Sequence, residues 1–192
     1  DSHNLKKVFA SYMEDELKNN TCQEFVNKTV KSIKEVYSEK YIPQVNPREI
    51  NLFHLNVNSR QRIIKKGLKY ILSDKNVSQQ EMLNELNKKP ENFSPNVLMR
   101  PLYQEVILPN LCYIGGPSEM SYWLQLKSFF DYHGVVFPII NPRASVLLLT
   151  QKTRRKINKY LINENEIFLK KNDFINLNIK KHSKIDINLN RL

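Results

Sequence analysis

A chain of 192 residues with 41% hydrophobic and 26% charged side chains has the length and composition of a folded domain with a real core, not of a disordered chain. No run reaches the roughly 18 apolar residues of a membrane span, and the opening DSHNLKKVFASYMEDEL interleaves charge with apolar positions where a secretory signal is uninterrupted. The formal charge of +11 invites a nucleic-acid partner, but residues 151–192 alone hold eleven basic groups against four acidic ones, so the excess belongs to a solvated C-terminal face without aromatic residues spaced for stacking on bases.

A soluble, cytoplasmic protein is expected. The chain opens on Asp1 inside a helical pattern, which suggests a natural start further upstream. Cys22 and Cys112 lack Cys-x-x-Cys spacing and a neighbouring His, and read as small buried hydrophobes.

In chain order, Leu5, Val8, Phe9, Tyr12, Met13 and Leu17 mark one helical face, and Phe25 through Tyr37 continue the period after a polar turn. Pro43 and Pro47 end helical structure, so residues 1–42 form a helical segment of the core. INLFHL alternates as a half-buried strand does, and RQRIIKKGLKYIL predicts a hairpin with Gly67 at positive φ. Ser78 and Glu81 form a capping box that starts a helix at Gln79. Residues 43–90 therefore read as a small insertion containing β structure.

Ser94 as N-cap and Pro95 at the first helical position predict the next helix, with a bend or restart at Pro101. LCYI reads as a short buried strand, Tyr122 to Phe130 as a helical face stopping at Gly134, and VVFPII and SVLLLT as two strands of a covered parallel sheet. Residues 91–150 thus make a βαβ segment, and 151–192 a basic helical linker. The fold class is α/β.

Gly115 and Gly116, half of the four glycines in the chain, fall between strand and helix. A turn there must be tight, and bare backbone at a helix start suits a phosphate or carboxylate. The string GGPSE matches neither a dinucleotide fingerprint nor a Walker loop, and Pro117 removes one N–H, so on spacing alone a plain strand-to-helix turn is the favoured reading. Asn96, Arg100 and Gln104 recur at intervals of four and share a helical face, while Asn141 and Arg143 follow the VVFPII strand, at the end where open α/β sheets hold ligands. Taken singly, Arg100 and Glu105 are also explained as surface charges or caps.

Together SPNVLMRPLYQE, LPNLCYIGGPSEMSYWLQLK and FPIINPRASVLLL, preceded by QVNPREINLFHL and RQRI, resemble the central region of the bacillithiol-biosynthesis cysteine-adding enzyme family, most closely from Ser94 to Leu149. The resemblance implies part of a Rossmann-type, nucleotidyltransferase-like core leading towards a coiled coil, a homodimer for the full-length protein, and ligation of cysteine to the amino group of glucosaminyl-malate. It implies ATP or another nucleotide as cofactor, with magnesium as its companion, although the sequence holds no metal-ligand cluster. Glu105, Glu119 and Arg143 are the catalytic candidates it suggests. Asn96, Arg100, Gln104, Gly115, Gly116, Tyr122 and Asn141 are the candidates for binding substrate or nucleotide, and Tyr103 and Trp123 read equally as core. A non-catalytic α/β assembly module and a basic nucleic-acid-binding domain are the alternatives.

Overall fold

A computed structural model describes residues 2–72 and 75–183. Three helices open it: α1 (His3–Val8), α2 (Ala10–Asn19) and α3 (Thr21–Val36). The first predicted helix is split at Phe9, whose N–H bonds to the Lys6 carbonyl three residues back, a tightened turn that seats its ring between Tyr12 at 5.1 Å and Tyr103 at 5.0 Å. Asn20 at φ 55° makes the corner into α3.

Five strands follow: β1 (Leu52–Asn56), β2 (Ser59–Arg62), β3 (Ile64–Lys66), β4 (Lys69–Leu72) and β5 (Lys75–Ser78). β1 is the middle strand of an antiparallel sheet, with β2 on one side and β6 (Phe93–Pro95) on the other. β3, β4 and β5 form a second antiparallel sheet, and Gly67 takes φ +59° in its first turn as the sequence predicts. The capping box is also as predicted: Ser78 Oγ accepts the Glu81 N–H, the Glu81 carboxylate accepts the Ser78 N–H, and α4 (Gln79–Lys88) starts there.

The next helix corrects the reading of Ser94 and Pro95. Both lie in β6, where Ser94 pairs with Phe53 and Pro95 with Leu52, and α5 runs over Met99–Ile107. Pairing with β1 keeps this backbone extended, a conformation that proline's fixed φ also permits. The cap is Asn96, whose Oδ1 accepts the Leu98 and Met99 N–H groups at 2.9 and 3.2 Å. Pro101 then falls in the first turn, where no N–H is needed, and neither bends nor restarts α5.

β7 (Cys112–Gly115), α6 (Pro117–Leu124), α7 (Lys127–Tyr132) and β8 (Ile139–Pro142) form the expected βαβ unit, with β7 and β8 parallel and Gly115 opposite Pro142. The helical face is interrupted at Gln125, a fully buried side chain that accepts the Val45 N–H at 3.1 Å and donates to the Val45 carbonyl at 2.8 Å. Gly134 ends α7 at φ +64°. Three expectations fail here. VVFPII is strand only from Ile139 onward and leaves Val136 and Ile139 exposed. LCYI is not buried, since Cys112 and Ile114 are exposed, and SVLLLT is coil with Val146 and Leu148 exposed, because no neighbouring strand pairs with it among the described residues. Cys22 is buried as expected.

The result is a mixed α/β unit spanning 1–143, which joins the helical segment, the β insertion and most of the βαβ segment around one core of Phe9, Met13, Leu17, Phe93, Trp123 and Phe130. A second unit, from Ala144 onwards, holds α8 (Gln151–Lys159), a 3-10 turn at Glu164–Phe168 and α9 (Lys171–His182), tied by a Lys181–Glu166 ion pair. The end of the basic linker, 184–192, lies outside the described residues. No helix among the described residues is long and apolar enough to cross a membrane.

Candidate functional site

A cavity of about 680 Å³ opens in the first unit. The loop before β1 supplies Val45, Asn46 and Arg48; β1 and β2 supply Phe53 and Arg60; Asn96 and α5 supply Arg100, Tyr103 and Gln104; β7 and α6 add Tyr113, Tyr122 and Trp123. Three guanidinium groups and three carboxamides thus face an aromatic wall. Arg60 lies 4.0 Å over the Phe53 ring and donates to the Pro95 carbonyl at 3.3 Å, which holds it against the sheet. Tyr113 stacks on Trp123 at 4.2 Å. The Tyr103 hydroxyl is buried and has no hydrogen-bond partner among the described residues, a condition that a ligand acceptor or a water relieves.

The backbone that carries Arg48 is held from below. Glu16 on α2 is fully buried, and its carboxylate accepts from Cys22 N at 2.8 Å and from both Asn51 N and Asn51 Nδ2 at 2.9 Å. Burial pushes its pKa up, and these hydrogen bonds pull the other way. Lys6, buried beside Tyr103 with its Nζ 4.8 Å from the ring centre, shows the sign of the local field. Burial first, then repulsion from Arg100 and Arg60, brings its pKa down from 10.5 to about 8.

Of the candidates read from sequence, Asn96, Arg100, Gln104 and Tyr122 come together in this cavity, and Tyr103 and Trp123 line it as well. The others do not line it. Glu105 is buried, and its two oxygens accept from Asn110 N at 2.8 Å, Asn110 Nδ2 at 3.0 Å and Gln104 Nε2 at 3.0 Å, which closes the turn between α5 and β7. Gly115, Gly116, Glu119 and Arg143 form a separate cluster at the start of α6, and Asn141 is an exposed residue of β8 opposite Ile114.

In that cluster protein atoms account for both glycines. A Cβ on Gly115 would stand 2.8 Å from the Tyr113 ring, and one on Gly116 would stand 2.7 Å from Arg143 Nη2. The Glu119 carboxylate accepts the Gly116 N–H at 2.8 Å, lies 4.0 Å from Arg143 and receives the Tyr113 hydroxyl at 3.3 Å. The Gly116 hydrogen bond, then Arg143 and Tyr113, keep the Glu119 pKa below the ordinary carboxylate value, so it is ionised at neutral pH and better suited to orient an ammonium than to take a proton. The helix start therefore already carries the chain's own anion. With Pro117 lacking an N–H as well, these residues do not fit a nucleotide phosphate in this arrangement.

Sequence reasoning missed Glu16, Arg48, Asn51, Arg60 and Gln125. Arg48 and Arg60 sit within the quoted QVNPREINLFHL and RQRI stretches, and the NPREIN motif was the available signal. Asn51 closes that same motif and Gln125 lies in the quoted YWLQLK, so both carried the same signal, whereas Glu16 carried none, because its partner Asn51 is 35 positions away.

A mixed α/β unit with a parallel β7–β8 pair around a helical crossover has the arrangement of a Rossmann-like domain. Residues 1–144 match the family model for Bacillithiol biosynthesis BshC, N-terminal Rossmann-like domain. The chain belongs to that family. It is 45% identical over 191 residues to the protein of Flavobacterium johnsoniae named "Putative cysteine ligase BshC", an overlap of 98% of this chain and 35% of that one. It is also 45% identical over 185 residues to the protein of the same name in Christiangramia forsetii, covering 95% and 34%, and 39% identical over 123 residues to that of Salinibacter ruber, covering 62% and 22%. The chain thus spans about a third of the length of the first two relatives.

Proposed function

We propose that this chain forms the part of a bacillithiol-pathway cysteine ligase that binds the acceptor substrate, glucosaminyl-malate, for joining to cysteine through an amide bond. The observation that carries the reading is the convergence of Arg48, Arg60 and Arg100 on one cavity with an aromatic wall. Guanidinium groups pair bidentately with carboxylates, so the malate end belongs among the arginines. The Tyr113, Tyr122 and Trp123 wall offers flat apolar surface for a sugar ring, and Asn96 and Gln104 offer hydrogen bonds for its hydroxyls.

Amide formation also requires an activated cysteine carboxylate and an unprotonated acceptor amine. ATP or another nucleotide, with magnesium, supplies the activation in this proposal, and no contact of the nucleotide is assigned to the glycine turn. Glu119, ionised and half-exposed beside Tyr113, is the candidate for orienting the acceptor's ammonium group before it loses its proton. Arg143, 4.0 Å from it, is the candidate for neutralising negative charge that develops on the acyl oxygen. The homodimer and the coiled coil are proposed for the full-length protein only.

Titration calorimetry with glucosaminyl-malate tests the reading. Arg100→Ala and Arg48→Ala are each expected to weaken binding by about tenfold or more, roughly 1.4 kcal/mol, with the fold intact by circular dichroism. Unchanged affinity in both variants would remove the cavity as the acceptor site. In the full-length protein the same substitutions should raise KM for glucosaminyl-malate more than KM for cysteine.

A further inference from the structure

Two of the three cavity arginines stand on backbone that one buried carboxamide holds. Asn51 is fully buried and does not line the cavity. Its Oδ1 accepts the Arg48 N–H at 3.1 Å and Asn96 Nδ2 at 2.8 Å, and its Nδ2 donates to the Arg48 carbonyl at 2.7 Å. Its own carbonyl accepts the Asn96 N–H at 2.9 Å, and the Asn96 carbonyl accepts the Arg100 N–H at 2.9 Å. Behind it Glu16 Oε1 takes both the Asn51 N–H and Nδ2 at 2.9 Å.

We infer that Asn51, backed by Glu16, is a positioning residue that fixes the spacing of Arg48 and Arg100 and thereby sets the cavity's preference for ligands with two carboxylates over ligands with one. The inference rests on the anion-binding reading of the cavity. Both arginine side chains are exposed and long, so on their own they would order only at an entropic cost. Anchoring both backbones to one group fixes the separation of the points from which the two side chains start, and a hydrogen-bond network in a low-dielectric interior resists deformation more than a surface loop does. A ligand gripped at two points depends on that spacing, whereas a ligand gripped at one point does not.

Trp123 is the only tryptophan and lines the cavity, so its fluorescence reports binding directly. L-malate and L-lactate are the probes, measured well below the melting temperature of each variant. Wild-type protein is expected to bind malate at least about tenfold more tightly than lactate. Asn51→Asp keeps the shape but loses the donors and places a second carboxylate against Glu16, and Glu16→Gln removes the backing charge. Each should weaken malate by about tenfold and leave lactate within about twofold, so that the preference collapses. Met82→Ala, a core substitution that does not line the cavity, should lower the melting temperature and leave the malate-to-lactate ratio unchanged. A ratio equal to wild type in folded Glu16→Gln or Asn51→Asp overturns the inference and leaves the cavity reading standing. Wild-type protein that binds neither probe overturns both.

Discussion

Arg143 lies across Gly116, with Nη2 2.7 Å from the place a Cβ would take, while the neighbouring Gly115 faces the Tyr113 ring at 2.8 Å. The two distances are alike and the consequences are not. Arg143 is 65% exposed and touches the glycine with the far end of a flexible chain, so it can swing away. Tyr113 is stacked on buried Trp123 and has no such freedom. Gly116→Ala should therefore cost less than about 1 kcal/mol, whereas Gly115→Ala should cost about 1–3 kcal/mol by overpacking and also weaken malate binding through Tyr113. Urea denaturation of the two alanine variants checks the order, and equal losses would contradict it.

Gln125 makes a second separable prediction. Its carboxamide satisfies both backbone groups of Val45, 80 positions away, and so holds the start of the loop that carries Arg48 into the cavity. Gln125→Ala leaves two half-buried backbone groups of Val45 without their partner, at a cost of about 1 kcal/mol. Gln125→Glu retains the acceptor for the Val45 N–H but sets a carboxylate against the Val45 carbonyl, and should be the more destabilising of the two at neutral pH. Thermal melts at pH 7 and pH 5 check this, because the glutamate variant should recover stability on acidification as its carboxylate gains a donor proton.

What was legible in the sequence is what local chemistry decides. The Ser78–Glu81 box, Gly67 in its hairpin and Gly134 after α7 each depend on backbone within a few residues, and each stands where the pattern put it. Ser94 and Pro95 look locally like a helix start and are instead strand, because pairing with Leu52 and Phe53 on β1 overrides the local preference. The same limit applies to the site. Asn96, Arg100, Gln104 and Tyr122 were readable as a polar group on adjoining elements, but the Glu16–Asn51 contact spans 35 positions and no periodicity announces a buried carboxylate. The paired glycines also have protein neighbours that no local pattern announces: a Cβ on Gly115 would meet the Tyr113 ring and one on Gly116 the end of Arg143.

Lys6 gives a prediction about pH. It is fully buried, and its pKa falls from 10.5 to about 8 through burial and through repulsion from Arg100 and Arg60. Between those values the unfolded chain holds the proton that the folded chain has released, so the Lys6 contribution to stability rises with pH, from its least favourable level below about pH 8 to its full level above 10.5. Lys6→Met removes this titration. Its stability relative to wild type should be highest at pH 7 and should fall steadily between pH 8 and 10. Other titrating groups are common to both proteins and cancel in the difference. Urea unfolding of the pair at half-unit steps checks the slope, and a difference that does not change with pH would mean that Lys6 keeps its proton in the folded state across the whole window.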